Sequence, residues 1–267
     1  MKYFVSIENC YFFRWQIELL LESMKPFGLD DSLVIGCAEF ENKKIKFPNV
    51  IYHENIGRKN NYLPFNKPFS VIQALKNKLL TPPFVIIDPD MVMVKPIENT
   101  KFVDYSYYLE YDNLICQGYT TNDLGCKTNW LPGGFIYQVD FFNIDFFEEI
   151  ISKIHELLSS NLIKDKWQIE MIAFAYCYSK YTKHICKKVS TSLFDNKTYN
   201  FIHYANGFSP YFNKYNYNNL REITFDYPYW QYKSILEIPD ENDNIKILKN
   251  IVSKFLINKN MKYIYEI

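Results

Sequence analysis

Short apolar runs alternate with segments of helical periodicity along the first half of the chain, and nothing else in the sequence constrains the fold as tightly. Lys2 to Ile7 is a β-rich run, after which Tyr11 to Met24 repeats apolar residues at helical spacing until Lys25-Pro26 stops it. Ser32 to Cys37 is a second apolar run and Val50 to His53 a short third. The turn-rich stretch HENIGRKNNYLPFNKPF leads into a predicted helix from Ser70 to Leu80, closed by Thr81-Pro82-Pro83. Phe84-Val-Ile-Ile-Asp follows at once and is the most strand-like core segment of the chain. Strands and helices alternating at this spacing predict an α/β fold with a mostly parallel sheet and helices on both faces, whose first half reads as a nucleotide-binding unit.

The second half continues with strands expected near Tyr105 to Glu110 and Phe135 to Val139, helices near Phe146 to Ser159 and Lys166 to Tyr181, and a strand at Asn200 to His203. From Asp243 to Lys259, Ile247, Leu248, Ile251, Val252, Phe255 and Leu256 recur at helical intervals, which makes this stretch an amphipathic helix. The 267 residues would suit one large domain or two small ones. No repeat and no linker splits them, so residues 1–235 are expected to form one domain, with 236–267 a C-terminal helix packed on it or extending it.

Charge excludes some functions. The 30 basic and 30 acidic residues cancel, which removes the broad footprint of a strong duplex binder or a membrane-surface protein. Only Arg14, Arg58 and Arg221 can offer bidentate phosphate forks. No apolar run is long enough to span a bilayer, and Glu8 interrupts what would be the apolar region of a signal peptide. A cytoplasmic protein without a membrane span is the expectation. The six cysteines are far apart and form no C-x-x-C pair, so free, mostly buried thiols are expected.

Four features carry chemistry. Asp88-Pro89-Asp90 closes the core strand, at the carboxyl end where open α/β sheets place ligands. Two carboxylates flanking one residue suit a hard cation such as manganese or magnesium, whose shell a nucleotide diphosphate can complete, although a strand-ending turn would look the same. Phe201-Ile-His-Tyr ends a second apolar run in His203, either a structural histidine or a third metal ligand. Asp165 with Gln168 forms a capping box that starts a helix. On it Trp167, Glu170, Met171 and Phe174 share one face. A carboxylate in that apolar stripe needs a partner, which is either a lysine in a structural ion pair or a sugar and its developing cationic carbon. Leu131-Pro-Gly-Gly-Phe135 spends two of the eight glycines on one turn, for close approach to a ligand or for an ordinary tight turn.

Taken together these segments resemble the GT-A glycosyltransferases, and more closely the plant-type hydroxyproline O-arabinosyltransferase and peptidyl-serine α-galactosyltransferase group. The matching segments are Tyr11-Phe-Phe-Arg-Trp-Gln, Asn66-Lys-Pro-Phe-Ser, Asp88-Pro-Asp-Met-Val-Met-Val-Lys-Pro, Trp167-Gln-Ile-Glu-Met-Ile-Ala-Phe-Ala and Phe201-Ile-His-Tyr, spanning residues 3–207 in the group's order. The resemblance implies a Rossmann-like GT-A domain and a retaining transferase that uses manganese or magnesium and a UDP-sugar. It implies Asp88, Asp90 and His203 as metal ligands, with Asp88 and Asp90 also at the donor. Tyr3 to Ile7, Ser6 among them, would floor the nucleotide site, Asn66 and Lys67 would approach the diphosphate or sugar, and Glu170 would lie at the reaction centre. The arabinosyltransferases tend to have glutamate where this chain has Asp88, as the galactosyltransferase branch does.

The expected acceptor is a hydroxyl on a peptide, a glycan or a hydroxymethylated base of viral DNA, the last disfavoured by the low arginine count. A carbohydrate-binding module is the alternative from another class, since 23 Tyr, 22 Phe and 4 Trp would suit sugar stacking, notably in Tyr211 to Asn219. A complete metal site is superfluous in a pure binder. A nucleotide-sugar hydrolase is a third reading, separable by donor turnover with and without acceptor.

Overall fold

The computed structural model of the chain describes residues 1–39, 47–97, 135–136, 141–160, 163, 166–178, 180, 190–204 and 235–258. Its main sheet holds β1 (Lys2–Glu8), β2 (Leu33–Ala38), β3 (Val50–His53), β4 (Phe84–Ile87) and β6 (Phe135–Ile136) in the order β3-β2-β1-β4-β6. The first four are parallel and β6 pairs antiparallel with β4. This is the mostly parallel, helix-flanked α/β sheet that the alternation predicts. The expected strand at Tyr105 to Glu110 and the rest of Phe135 to Val139 lie outside the described residues.

Side-chain alternation assigns each strand residue to a helix layer. Phe4, Val34 and Ile86 point to one face, where α3 (Asn66–Lys76), α4 (Ile144–Ser160) and α5 (Ile169–Tyr178) cover them with Val71, Phe146, Ile150 and Phe174. Tyr3, Val5, Ile7, Ile35 and Ile87 point the other way, onto Ile17, Leu20 and Met24 of α1 (Tyr11–Met24). Both faces being covered, all six residues of β2 and all four of β4 are buried.

Gly36 lets α3 lie this close to β2: a Cβ there would stand 2.4 Å from Ser70 Cβ and 2.8 Å from Phe4 Cζ. α3 follows the short α2 (Ile56–Lys59) and begins at Asn66, a turn earlier than the Ser70 start expected from the sequence. Pro68, which looks like a breaker, is the third residue of the helix, where a backbone N–H has no intrahelical acceptor to lose. The earlier start places Asn66 and Lys67 in the first turn.

Beyond β4 the chain leaves the main sheet through Asp88-Pro89-Asp90 and enters a small second sheet of order β5-β8-β7, formed by β5 (Met91–Met93), β7 (Ser190–Ser192) and β8 (Phe201–His203). A separate apolar cluster backs it: Val92 and Ile202 pack with Phe12, Trp15 and Leu19 of α1 and with Leu248, Val252 and Phe255 of α6 (Asp243–Asn258). Two asparagines fasten α6. Asn244 donates from Nδ2 to the carbonyls of Ser192, Asp195 and Lys197 and accepts from Thr198 Oγ1, and Asn258 donates to Glu22 at 2.7 Å. Among the described residues no helix is long and apolar enough to cross a membrane. Cys10, Cys37 and Cys177 are buried free thiols, and burial pushes the Cys37 thiol up, with Cys10, Glu39 and Glu8 adding to it.

Candidate metal and donor site

A cleft of about 220 Å³ opens at the carboxyl ends of β1 and β4. The first turns of α1 and α3, the β4–β5 turn, the start of α5 and the end of β8 complete its walls. Asp88, Asp90 and His203 converge there, each offering one ligand atom, with all three atoms within 4.8 Å of one another. Strand pairing brings them together. The antiparallel ladder sets Met91 against His203, the Tyr204 N–H donates to the Asp90 carbonyl at 3.1 Å, and His203 Nε2 lies 3.1 Å from Asp90 Oδ1. Two carboxylate oxygens and an imidazole nitrogen make a donor set that fits manganese or magnesium.

Lys67 reaches across the cleft from α3, its Nζ 3.0 Å from Asp88 Oδ1 and 3.5 Å from Glu170 Oε1. Burial works against its charge, but the Asp88 and Glu170 carboxylates outweigh that and hold the ammonium above its ordinary range. Glu170 sits in the first turn of α5, where the helix dipole favours an anion, and its own N–H donates to Tyr62 Oη at 2.8 Å. Burial nevertheless pushes its carboxyl up, the Asp88 charge adds to the shift and Lys67 opposes it. The ion pair with a lysine foreseen as the structural alternative is thus present, but that lysine is shared with a carboxylate of the metal trio.

Other expected residues also border the cleft. Asn66 lines the cleft, yet its amide is engaged within the protein, accepting from the Gly57 N–H at 3.0 Å and donating to Asn55 Oδ1 at 2.9 Å. Ser6 also lines it, with its hydroxyl 2.9 Å from Ser70 Oγ. Trp167 does not join Glu170, Met171 and Phe174 in a buried stripe. It belongs to a 3-10 turn, Lys166–Gln168, that precedes α5 and turns the indole outward, and it is 62% exposed at the cleft. Asp165 of the expected capping box and the Gly133-Gly134 turn lie outside the described residues.

A second polar group in the cleft was not expected from the sequence. Glu8, at the end of β1, is buried, and its Oε1 accepts from Arg58 Nε at 2.8 Å and from Asn55 Nδ2 at 2.9 Å. The signals were an acid closing an apolar strand and one of only three arginines.

No protein-family model matches the chain, and neither does any curated protein. Among solved structures it is similar to the galactosyltransferase LgtC in complex with donor and acceptor sugar analogues, at 10% identity and a TM-score of 0.49, over 87% of this chain and 100% of that one. It is similar to a glycosyltransferase involved in glycosylation of the major capsid of PBCV-1, at 12% identity and 0.45, over 77% and 95%. A third is the apo-form glycosyltransferase GlyE of Streptococcus pneumoniae TIGR4, at 14% and 0.46, over 98% and 65%.

Proposed function

We propose that the chain is a metal-dependent glycosyltransferase of the GT-A type, moving a sugar from a nucleoside-diphosphate donor to a hydroxyl acceptor with retention of configuration. The convergence of Asp88, Asp90 and His203 on one point of the cleft carries the reading, because three such ligands can hold a divalent cation and leave the rest of its shell to a diphosphate. Bound there, the ion supplies Lewis-acid neutralisation of the charge that builds on the departing diphosphate. Lys67, kept charged by its two carboxylates, adds fixed positive charge beside the same oxygens and needs no reorganisation as that charge develops. Glu170 is the buried carboxylate facing the reacting carbon, where it stabilises the developing positive charge during front-face attack or bonds to the carbon in a covalent intermediate. Residues 1–235 form the transferase domain in this reading, with α6 buttressing it.

Resemblance to the arabinosyl- and galactosyltransferase group supports uridine diphosphate as the carrier, with galactose or arabinose ahead of glucose. A thermal-shift panel of nucleotide sugars with and without manganese tests both halves. A uridine-linked donor at a hundredfold excess over its dissociation constant should add about 2.7 kcal/mol, or roughly 5–10 °C, and only with the metal. Greater stabilisation by guanosine- or cytidine-linked donors would defeat the donor assignment, and shifts indifferent to manganese would defeat the metal.

A further inference from the structure

Behind the cleft a chain of hydrogen bonds runs from Ser6 into the core, and its direction is chemically fixed. The buried ring of His53, at the end of β3, places Nδ1 2.8 Å from the Glu54 carbonyl oxygen. That oxygen can only accept, so Nδ1 carries the proton. Burial lowers the basicity of the ring, against the opposing Glu54 hydrogen bond and the charges of Glu39 and Glu54, so the ring is neutral at pH 7 and Nε2 is bare. Bare Nε2, 2.6 Å from Ser70 Oγ, takes that hydroxyl's only proton. Ser70 can then only accept at its other contact, so Ser6, 2.9 Å away, donates to it. Ser6, which lines the cleft, has no proton left to donate there, so its hydroxyl can offer a bound ligand only lone pairs.

We infer that Ser6 is an acceptor reserved for a hydroxyl of the bound nucleotide sugar, and that Ser70 and His53 are the positioning residues that reserve it. The inference rests on the nucleotide-sugar reading above and deepens it. Phe4 and Ile86 form the last rung between β1 and β4, and Ser6 and Asp88 each lie two residues beyond it toward the cleft. A serine so near the metal carboxylates would ordinarily be read as a donor to phosphate. The diphosphate of a nucleotide sugar, esterified at both ends, bears no proton at neutral pH and meets only lone pairs at this serine, whereas a ribose or sugar hydroxyl supplies the missing hydrogen. Ser6 therefore distinguishes the sugar-bearing parts of the donor from its diphosphate.

Calorimetric titration of the full chain with manganese and three probes, inorganic diphosphate, UDP and UDP-galactose, tests this. In Ser6→Ala diphosphate affinity should stay at the wild-type value, while the hydroxyl-bearing ligand loses about two- to tenfold, the worth of one neutral hydrogen bond. Loss with UDP and UDP-galactose alike identifies a ribose hydroxyl, and loss with UDP-galactose alone identifies the transferred sugar. Ser6→Thr, which keeps the oxygen, should restore the ratio of nucleotide to diphosphate affinity. His53→Phe, which frees Ser70 to donate toward Ser6, should lower that ratio, whereas a merely structural role would weaken all three probes in parallel. An unchanged ratio in Ser6→Ala, or diphosphate weakened as much as UDP-galactose, overturns the inference. Wild-type protein that binds neither UDP nor UDP-galactose overturns the donor reading itself, and this one with it.

Discussion

Replacing Gly36 by alanine should damage stability and turnover together, through one displaced helix. The added Cβ would meet Ser70 Cβ at 2.4 Å, Phe4 Cζ at 2.8 Å and Ser70 Oγ at 2.9 Å, where ordinary contact begins near 3.4 Å. Relief therefore needs α3 to retreat by about 1 Å, and overpacking of this kind costs about 1–3 kcal/mol. Lys67 lies one helical turn before Ser70, and its 3.0 Å contact with Asp88 does not survive that retreat. Displacement of about 1 Å at a reacting centre can cost about a hundredfold in rate. Urea denaturation and nucleotide release from a sugar donor, measured on the same preparation, would report both losses. Ser70→Gly removes the atom at 2.4 Å, so the double variant should be less destabilised than the two single variants added together. Gly36→Ala as stable as wild type to within about 0.5 kcal/mol, or losses that simply add with Ser70→Gly, would refute the packing account.

Glu170→Gln should lower turnover at least about 100-fold, roughly 2.7 kcal/mol of transition-state stabilisation. Because its folded pKa is raised, the carboxyl contributes stability below its unfolded value of 4.5 that is lost as pH rises through the folded value, so the variant should melt no lower than wild type at pH 8. A lower melting temperature with turnover per folded molecule intact would instead mark a structural ion pair with Lys67. Lys67→Met leaves Asp88 and Glu170 without their shared cation, so manganese alone should bind more tightly and inorganic diphosphate more weakly by calorimetry. His53 has a lowered folded pKa, so its contribution is complete above the unfolded value of 6.5 and is lost as pH falls through 6.5 toward the folded value. Denaturant titrations from pH 8 to pH 5 should show that decline in wild type and a flatter profile in His53→Gln.

Much of this was legible where local pattern decides structure. Tyr11–Met24 and Val50–His53 were readable to the residue, and β1, β2 and β4 nearly so, because apolar periodicity and proline stops act locally. The small sheet was less so: β5 and β7 are three residues each, too short for a period, and they exist because β8 pairs with both. The metal trio was named from strand-end motifs, but the 3.1 Å approach of His203 to Asp90 depends on a ladder between segments over a hundred residues apart. The ties of Asn66 to Asn55 and Gly57, of Glu8 to Arg58, and of Ser6 through Ser70 to His53 depend on how Ile56–Lys59 and α3 settle against β1 and β3, and no spacing in the sequence encodes that.

The central claim is that Asp88, Asp90 and His203 hold the cation that carries the donor. Titrating UDP into wild type, Asp90→Ala and His203→Ala, each with manganese and again with a chelator, tests it most directly. Manganese-dependent UDP binding is expected in wild type and its loss in both variants, with far-ultraviolet circular dichroism unchanged, because Asp90 sits in the β4–β5 turn and His203 ends β8, both lining the cleft. Manganese-dependent binding of wild-type strength in either variant would contradict it.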